Sequence, residues 1–166
     1  MEINDLKFKV ENDAVIITGY KGEKKDIVIP DNIDGLPVIT IGDFAFNNKF
    51  LTNVVIPDSV EKIGESAFRY NKLTNIVIPN SVKEIGWAAF ANNLLTDIVI
   101  SESVEKIEYH VFSFNEIAGI NIPGSVKEIA GYAFLRNKIA SVVIPKSVEN
   151  AHKWAFDENV EIIIRS

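Results

Sequence analysis

The sequence predicts an α/β repeat solenoid, strand-rich, built from parallel-stacked coils of 22 residues. Each coil is expected to run through a short strand, a bend and a short helical turn, with a β-hairpin capping the N-terminal end. Three observations carry this. Phe46, Phe68, Phe90, Phe112, Phe134 and Phe156 recur at a constant step of 22. Ile56, Ile78, Ile100, Ile122 and Ile144 keep the same step, as do the columns that start at Val60 and Ile63. Charges in two adjacent columns alternate in sign from coil to coil.

The elements follow in chain order. Leu6 to Val10 and Ala14 to Thr18 are apolar runs around Asn12-Asp13, which is a hairpin signal. Residues 1–26 are assigned to this cap and residues 27–166 to a solenoid of about six coils, together forming one domain. Ile27-Val28-Ile29-Pro30 is the first repeat-like strand. A step of 27 from Ile29 to Ile56 places a five-residue insertion near Asp34-Gly35-Leu36-Pro37.

Leu51 to Ile56 reads as a strand with Val54 and Ile56 on one face and Val55 on the other. Pro57 ends it, lacking the N–H a ladder needs. Val60 and Ile63 turn inward, Gly64 permits a tight bend, and Ser66-Ala67-Phe68 is expected to form the helical or 3₁₀ turn that drops Phe68 into the core. Asn71 closes the coil, in a column continued by Asn93, Asn115, Asn137 and Asn159. A side-chain amide there can satisfy the backbone of its own turn and of its neighbour.

Glu61, Lys83, Glu105, Lys127 and Glu149 form one charge column, and Lys62, Glu84, Lys106 and Glu128 the next. With coils about 4.8 Å apart, every charge should have opposite charges above and below, and a register slip would bring like charges together. At the far end, Val160-Glu161-Ile162-Ile163-Ile164 is a last strand that arrives two residues early. Its apolar edge should be covered by the turn around Trp154 and Asp157, or should pair weakly with a second copy of the chain.

Length and composition bound the function. The 166 residues are 47% hydrophobic and 24% charged, with a net charge of −6, which argues against nucleic-acid binding. There is no cysteine, so disulfides and thiolate chemistry are excluded. No run approaches the roughly 18 apolar residues of a membrane span. The start, Met1-Glu2-Ile3-Asn4-Asp5, lacks the pattern of a signal peptide, so the chain is read as cytosolic or as a piece of a longer secreted protein.

The two histidines, His110 and His152, have no metal-ligand spacing, and His110 is read as a surface position. His152 falls where other coils have Gly42, Gly64 and Gly86, and is read as a relaxed last coil. No phosphate loop, nucleophile elbow or calcium repeat occurs. The sequence therefore predicts no enzyme and no cofactor.

Two surfaces compete as partner sites. On the outer strand face, Val55, Val77, Val99, Asn121 and Val143 run beside Asn53, Asn75, Asp97, Gly119 and Ser141. Exposed valines suit a protein partner, and equally suit a strand with none. On the turn side, Trp87, Tyr109, Phe114, Tyr132 and Trp154 stand in columns that are small or polar elsewhere. They read as binding hot spots or as packing between coils.

The spacing Leu-x-x-Val-x-Ile-Pro-x-Ser-Val-x-x-Ile-Gly-x-x-Ala-Phe, as at Leu51 to Phe68, resembles the BspA-like leucine-rich repeats of bacterial surface proteins over about residues 27–164. The resemblance implies a leucine-rich-repeat-type solenoid, a non-catalytic role in adhesion or host-protein binding, and a cell-surface or secreted location. It brings no site residues, and Asn71, Asn93, Asn115 and Asn137 stand where many such repeats have Cys. The alternative function is assembly through the solenoid end.

Overall fold

The computed structural model describes residues 2–165. Fifteen short strands follow one another: β1 (Leu6–Glu11), β2 (Ala14–Tyr20), β3 (Asp26–Val28), β4 (Asn32–Ile33), β5 (Leu36–Ile41), β6 (Asn53–Val55), β7 (Lys62–Ile63), β8 (Asn75–Val77), β9 (Glu84–Ile85), β10 (Asp97–Val99), β11 (Lys106–Ile107), β12 (Glu128–Ile129), β13 (Ser141–Ile144), β14 (Asn150–Ala151) and β15 (Glu161–Ile164). β1 and β2 form the expected antiparallel hairpin. Asn12 and Asp13 make its turn with φ of 50° and 58°, the left-handed pair that a tight hairpin requires. β2 then runs parallel to β5. The insertion is itself a small hairpin, β4 on β5, turned by Asp34 and Gly35.

Every coil contributes two inward-facing lines. Phe46, Phe68, Phe90, Phe112 and Phe134 are fully buried and Phe156 nearly so. Their rings stack with centroids 5.1–5.7 Å apart, and Tyr20 of the hairpin tops the pile 5.6 Å from Phe46. The Asn column performs its structural role. Asn93 Nδ2 donates to the Phe90 carbonyl of its own turn and the Phe68 carbonyl of the preceding coil, while its Oδ1 accepts from Leu73 N–H. Asn71, Asn115 and Asn137 repeat the pattern. Asn159 does not: it is exposed, in a coil two residues short.

The helical turn is the main correction. The only helical element among the described residues is a 3₁₀ turn at Ile3–Asp5, in the cap. Phe68 N–H donates to Ala89 of the next coil at 2.8 Å, where an α-helix would send it back to Gly64. The N–H groups of Ser66 and Tyr70 do the same, to Trp87 and Ala91. Only alternate amides point along the stack; those between them, Ala67 and Arg69, donate back three residues to Gly64 and Ser66, so the turn closes single bonds without running into a helix. Pointing the alternate amides that way puts two columns in the left-handed region: Phe44, Ser66, Ala88, His110 and Tyr132, and Asn48, Tyr70, Asn92, Phe114 and Arg136, with φ between 51° and 63°. Such a φ is uncommon without glycine, and the inter-coil ladder sustains it.

Gly64 also plays a different part from the one expected. Its φ is not left-handed, but a Cβ there would lie 2.6 Å from Asp43 N and 2.4 Å from Asp43 Oδ1. At Gly86 a Cβ would lie 2.6 Å from Glu65 N. The column is glycine because the preceding coil touches it. Gly64 N–H bonds Ile41 and Gly86 N–H bonds Ile63 across these contacts.

The next member of the column is Glu108, which carries a Cβ. There the ladder breaks: β5, β7 and β9 pair in one sheet, β11, β12 and β14 in another, and β9 does not pair with β11. Beyond the seam the column has Ala130 and His152, and both keep their ladder bonds, to Ile107 and Ile129. His152 is therefore held in register. The relaxation of the last coil begins at Trp154, which leaves the left-handed region its column mates occupy.

The seam explains a second departure. Lys83 pairs with Glu61 at 2.9 Å but not with Glu105, and Glu84 pairs with Lys62 at 2.7 Å but not with Lys106. Three expected pairs are absent. Lys83–Glu105 and Glu84–Lys106 would cross the seam; Lys127–Glu149 lies beyond it, where β12 and β14 still pair, so the seam accounts for the first two alone. Lys106 turns instead to Glu108 and Glu128, and Lys127 to Glu105. At the far end β15 pairs with β13 alone. The turn before it does not fold over this edge, because the Asp157 carboxylate accepts the N–H groups of Arg136 and Asn137 in the preceding coil.

Candidate functional site

On the outer strand face, alternation drives one residue in two into the core and the other into solvent. Val54, Ile76 and Val142 are buried, while Val55, Val77, Val99 and Val143 are 47%, 61%, 58% and 43% exposed. Asn121 is exposed in the same row, Asn75 and Asp97 are exposed in the flanking row, and Asn53 is half-buried. All eight strand-face candidates therefore share one surface.

Strand pairing lengthens this surface at both ends. Val28 lies beside Val55 and Ile163 beside Val143, and both are exposed. Asp26 and Glu161 extend the flanking row beside Asn53 and Ser141. Sequence spacing missed these four because the end coils do not keep the step of 22, and only the pairing assigns them. An open groove lies where β6 and β8 fail to pair, lined by Asn53, Val55, Asp58, Asn75, Val77 and Asn80.

The turn side is different in kind. His110 stacks on Tyr132 with ring centroids 5.0 Å apart, Tyr132 stacks on Trp154 at 5.9 Å, and Trp87 meets His110 edge-on at 6.1 Å. His110 is thus not a plain surface residue but the joint of the stack. Burial first, and the Arg69 charge second, push its imidazole below the usual histidine value. Arg69 also lies 4.6 Å from the Tyr70 ring centroid and 5.9 Å from that of Trp87, and Lys153 sits 4.5 Å over Trp154.

Tyr109 borders this group near Gly131 and His152. Phe114 stands apart, with no ring partner among the described residues. The structure therefore joins Trp87, Tyr132 and Trp154, with Tyr109 beside them, and leaves Phe114 out. The joined rings meet one another or cations of the same chain, and Trp87, Tyr109, Phe114 and Trp154 remain exposed.

Among the described residues no three His, Asp or Glu side chains are grouped to hold a metal ion. No helix among them is long and apolar enough to cross a membrane.

A parallel solenoid of short strands around one phenylalanine pile defines a repeat scaffold of the leucine-rich type. The chain belongs to the BspA-type leucine-rich-repeat family: the family model matches six copies over residues 39–163. Among solved structures, it is similar to a leucine-rich cell surface protein from Faecalibacterium prausnitzii, with 27% identity and a TM-score of 0.66, covering 96% of this chain and 52% of that one. A leucine-rich repeat protein of T. pallidum is 25% identical with a TM-score of 0.54, covering 91% of this chain and 63% of that one. One from Eubacterium ventriosum, at 24% identity and a TM-score of 0.63, is matched over 98% of this chain and 42% of its own, and shows the fold alone. The chain thus spans less than two thirds of each of these three proteins. No curated protein matches it.

Proposed function

We propose that the chain is a non-catalytic protein-binding module whose contact surface is the outer strand face, and that it acts at a cell surface in adhesion or host-protein binding. One observation carries the choice of face: Val28, Val55, Val77 and Val99 form one continuous exposed row, whereas of the exposed competing aromatics Trp87 and Trp154 are engaged with His110, Tyr132 or cations of the chain and Tyr109 and Phe114 stand singly. The family supports an interaction role in general, and the surface location follows the relative from Faecalibacterium prausnitzii.

The test is site-specific photo-crosslinking. A photoreactive side chain at position 77 or 99 should join the chain to a discrete protein from host extracellular material, and the same group at position 83 or 127 should not. Crosslinks arising only from positions 83 and 127, or from the Trp87–Trp154 side, would overturn the assignment.

A second reading, self-association through β15, is favoured by the exposure of Ile162, Ile163 and Ile164, of which Ile162 and Ile164 lie beside the buried Val142 and Ile144. In a longer chain a following coil would take the same edge. Sedimentation of the 166-residue chain tests it: a monomer at high concentration removes this reading.

A further inference from the structure

Charge is distributed on the strand face in a way that β-propensity and solubility do not require. Residues 25–31, 52–58, 74–80 and 96–102, the strand face of the first four coils, contain the carboxylates Asp26, Asp31, Asp58, Asp97 and Glu102 and one cation, Lys25, whose Nζ donates to the Lys49 carbonyl and to none of these carboxylates. All five carboxylates are exposed. None takes part in an ion pair among the described residues, although this chain pairs its bend-side charges coil by coil. Their polar partners are neutral: Asn53 for Asp26, Asn32 for Asp31, Thr96 for Asp97. The same face of the next two coils, residues 118–124 and 140–146, has no carboxylate and carries Lys146. The unbroken valine row stops at the same place, where Asn121 follows Val99. The unbroken run of valines and the five carboxylates therefore cover the same four coils, and past Asn121 the row resumes at Val143 and Ile163 with Glu161 beside it.

The geometry of that patch selects a shape. Val28 with Val55 and Val77 with Val99 sit on paired strands about 4.8 Å apart, while Val55 and Val77 flank the open groove where β6 and β8 do not pair. Same-side residues of an extended strand recur about every 6.6–6.8 Å, which falls out of step within two coils. On an α-helix, residues three and four apart rise about 4.5 and 6.0 Å, so their apolar stripe stays near register with the row. Four coils span about 19 Å, the length of roughly 13 helical residues. The carboxylates lie on both sides of the valines: Asp26 and Asp97 before the row, Asp31, Asp58 and Glu102 after it.

We infer that the strand face of the first four coils docks a cationic amphipathic helix of a partner protein, its apolar stripe laid on Val28, Val55, Val77 and Val99 and its Lys or Arg residues reaching the carboxylates on both flanks. This rests on the strand face being the contact surface and names the chemistry of what that surface takes. Burial of the valines supplies the apolar contact, and the like-charged flanks fix orientation and speed encounter.

The experiment uses a synthetic peptide of about 16 residues, with leucine at helical i, i+3, i+4 and i+7 positions and lysine on both flanks. A scrambled peptide of the same composition and a glutamate version serve as comparators. Fluorescence anisotropy should show binding of the patterned lysine peptide that weakens with salt, and none of the glutamate version. Asp97→Asn with Glu102→Gln should weaken binding about tenfold, and Val77→Ser with Val99→Ser should weaken it comparably. Asp13→Asn with Glu158→Gln removes the same charge elsewhere and should leave it unchanged.

Equal loss in that control pair would mean general attraction to an acidic chain, and equal binding of the scrambled peptide would mean no helical register. Either result, or no binding of the lysine peptide, overturns the inference. If positions 77 and 99 still crosslink a partner while the cationic helix fails, the strand-face reading stands and only the partner's chemistry is refuted.

Discussion

The two flanks of this solenoid treat charge in opposite ways. On the bend side, Lys and Glu alternate and satisfy one another: Lys62 with Glu84, Lys83 with Glu61, Lys106 with Glu128, Lys127 with Glu105. On the strand side of the same coils, five carboxylates flank a valine row without a counter-ion among the described residues. Both patterns repeat on one backbone, so neither is a by-product of coil geometry. The alternating flank opposes register slips, and each exposed ion pair adds little stability, about 0–1 kcal/mol. The strand-side carboxylates take only neutral partners within the chain, Asn53 for Asp26, Asn32 for Asp31 and Thr96 for Asp97, and leave their charge unpaired. The comparison separates charge that organises the stack from charge left available to a partner.

Both flanks hang on one core, so the largest expected effect strikes them together. Phe90→Ala should cost about 3–5 kcal/mol, and a urea melt showing less than about 1 would mean that the phenylalanine pile does not hold the faces in place. Asn93→Ala strips partners from Leu73 N–H and from the Phe68 and Phe90 carbonyls. Buried groups left unpaired should make it lose about 2–4 kcal/mol, and a neutral result would reduce the Asn column to decoration.

The faces themselves should then diverge. Lys83→Glu with Lys127→Glu makes one bend-side column wholly acidic and should destabilise by about 1 kcal/mol at low salt, relieved as salt is added. Asp97→Asn with Glu102→Gln on the strand side should change stability by less than about 0.5 kcal/mol. Equal effects on both sides would erase the distinction.

The seam gives a subtler test, because it divides the bend side and leaves the strand side joined there through β8 and β10. Glu108→Gly should let β9 and β11 pair and draw Lys106 toward Glu84. Hydrogen exchange at residue 108 should slow by about tenfold or more, and unchanged exchange would mean that the side chain is not what parts the coils.

The smallest effect belongs to His110. Its pKa is lowered in the fold, so folding favours the neutral ring. Stability is complete above the unfolded value of about 6.5 and declines as pH falls through the folded value. His110→Phe keeps a ring in the stack and should flatten that decline. Melts at neutral and mildly acid pH compare the two, and an unchanged slope would exclude His110 as its source.

Much of this was legible in the residues alone. The coil length, the buried Phe, Ile and Val columns, the Asn caps and the outward valines all follow from a strict step of 22, and periodicity is a property a sequence carries in full view. Alternating signs announced the bend-side ladder in the same way.

What the residues could not show depends on how one coil meets the next. The turn reads as helical by composition, but every second amide goes to the neighbouring coil, and only the stack decides that. Gly64 suggests a bend until the Asp43 backbone is found against it. Glu108 stands in the glycine column where the ladder opens into a seam, and the Lys83–Glu105 and Glu84–Lys106 pairs are absent across it, while Ala130 and His152 keep the ladder with a Cβ of their own. Val28 and Ile163 join the valine row, and His110 joins the aromatics, through strand pairing and ring packing that sequence spacing does not encode. The sequence by itself determined what each coil buries. The tertiary structure decided which neighbours touch, because contacts between coils depend on the rise and rotation from one to the next, and these emerge only when all the coils are packed together.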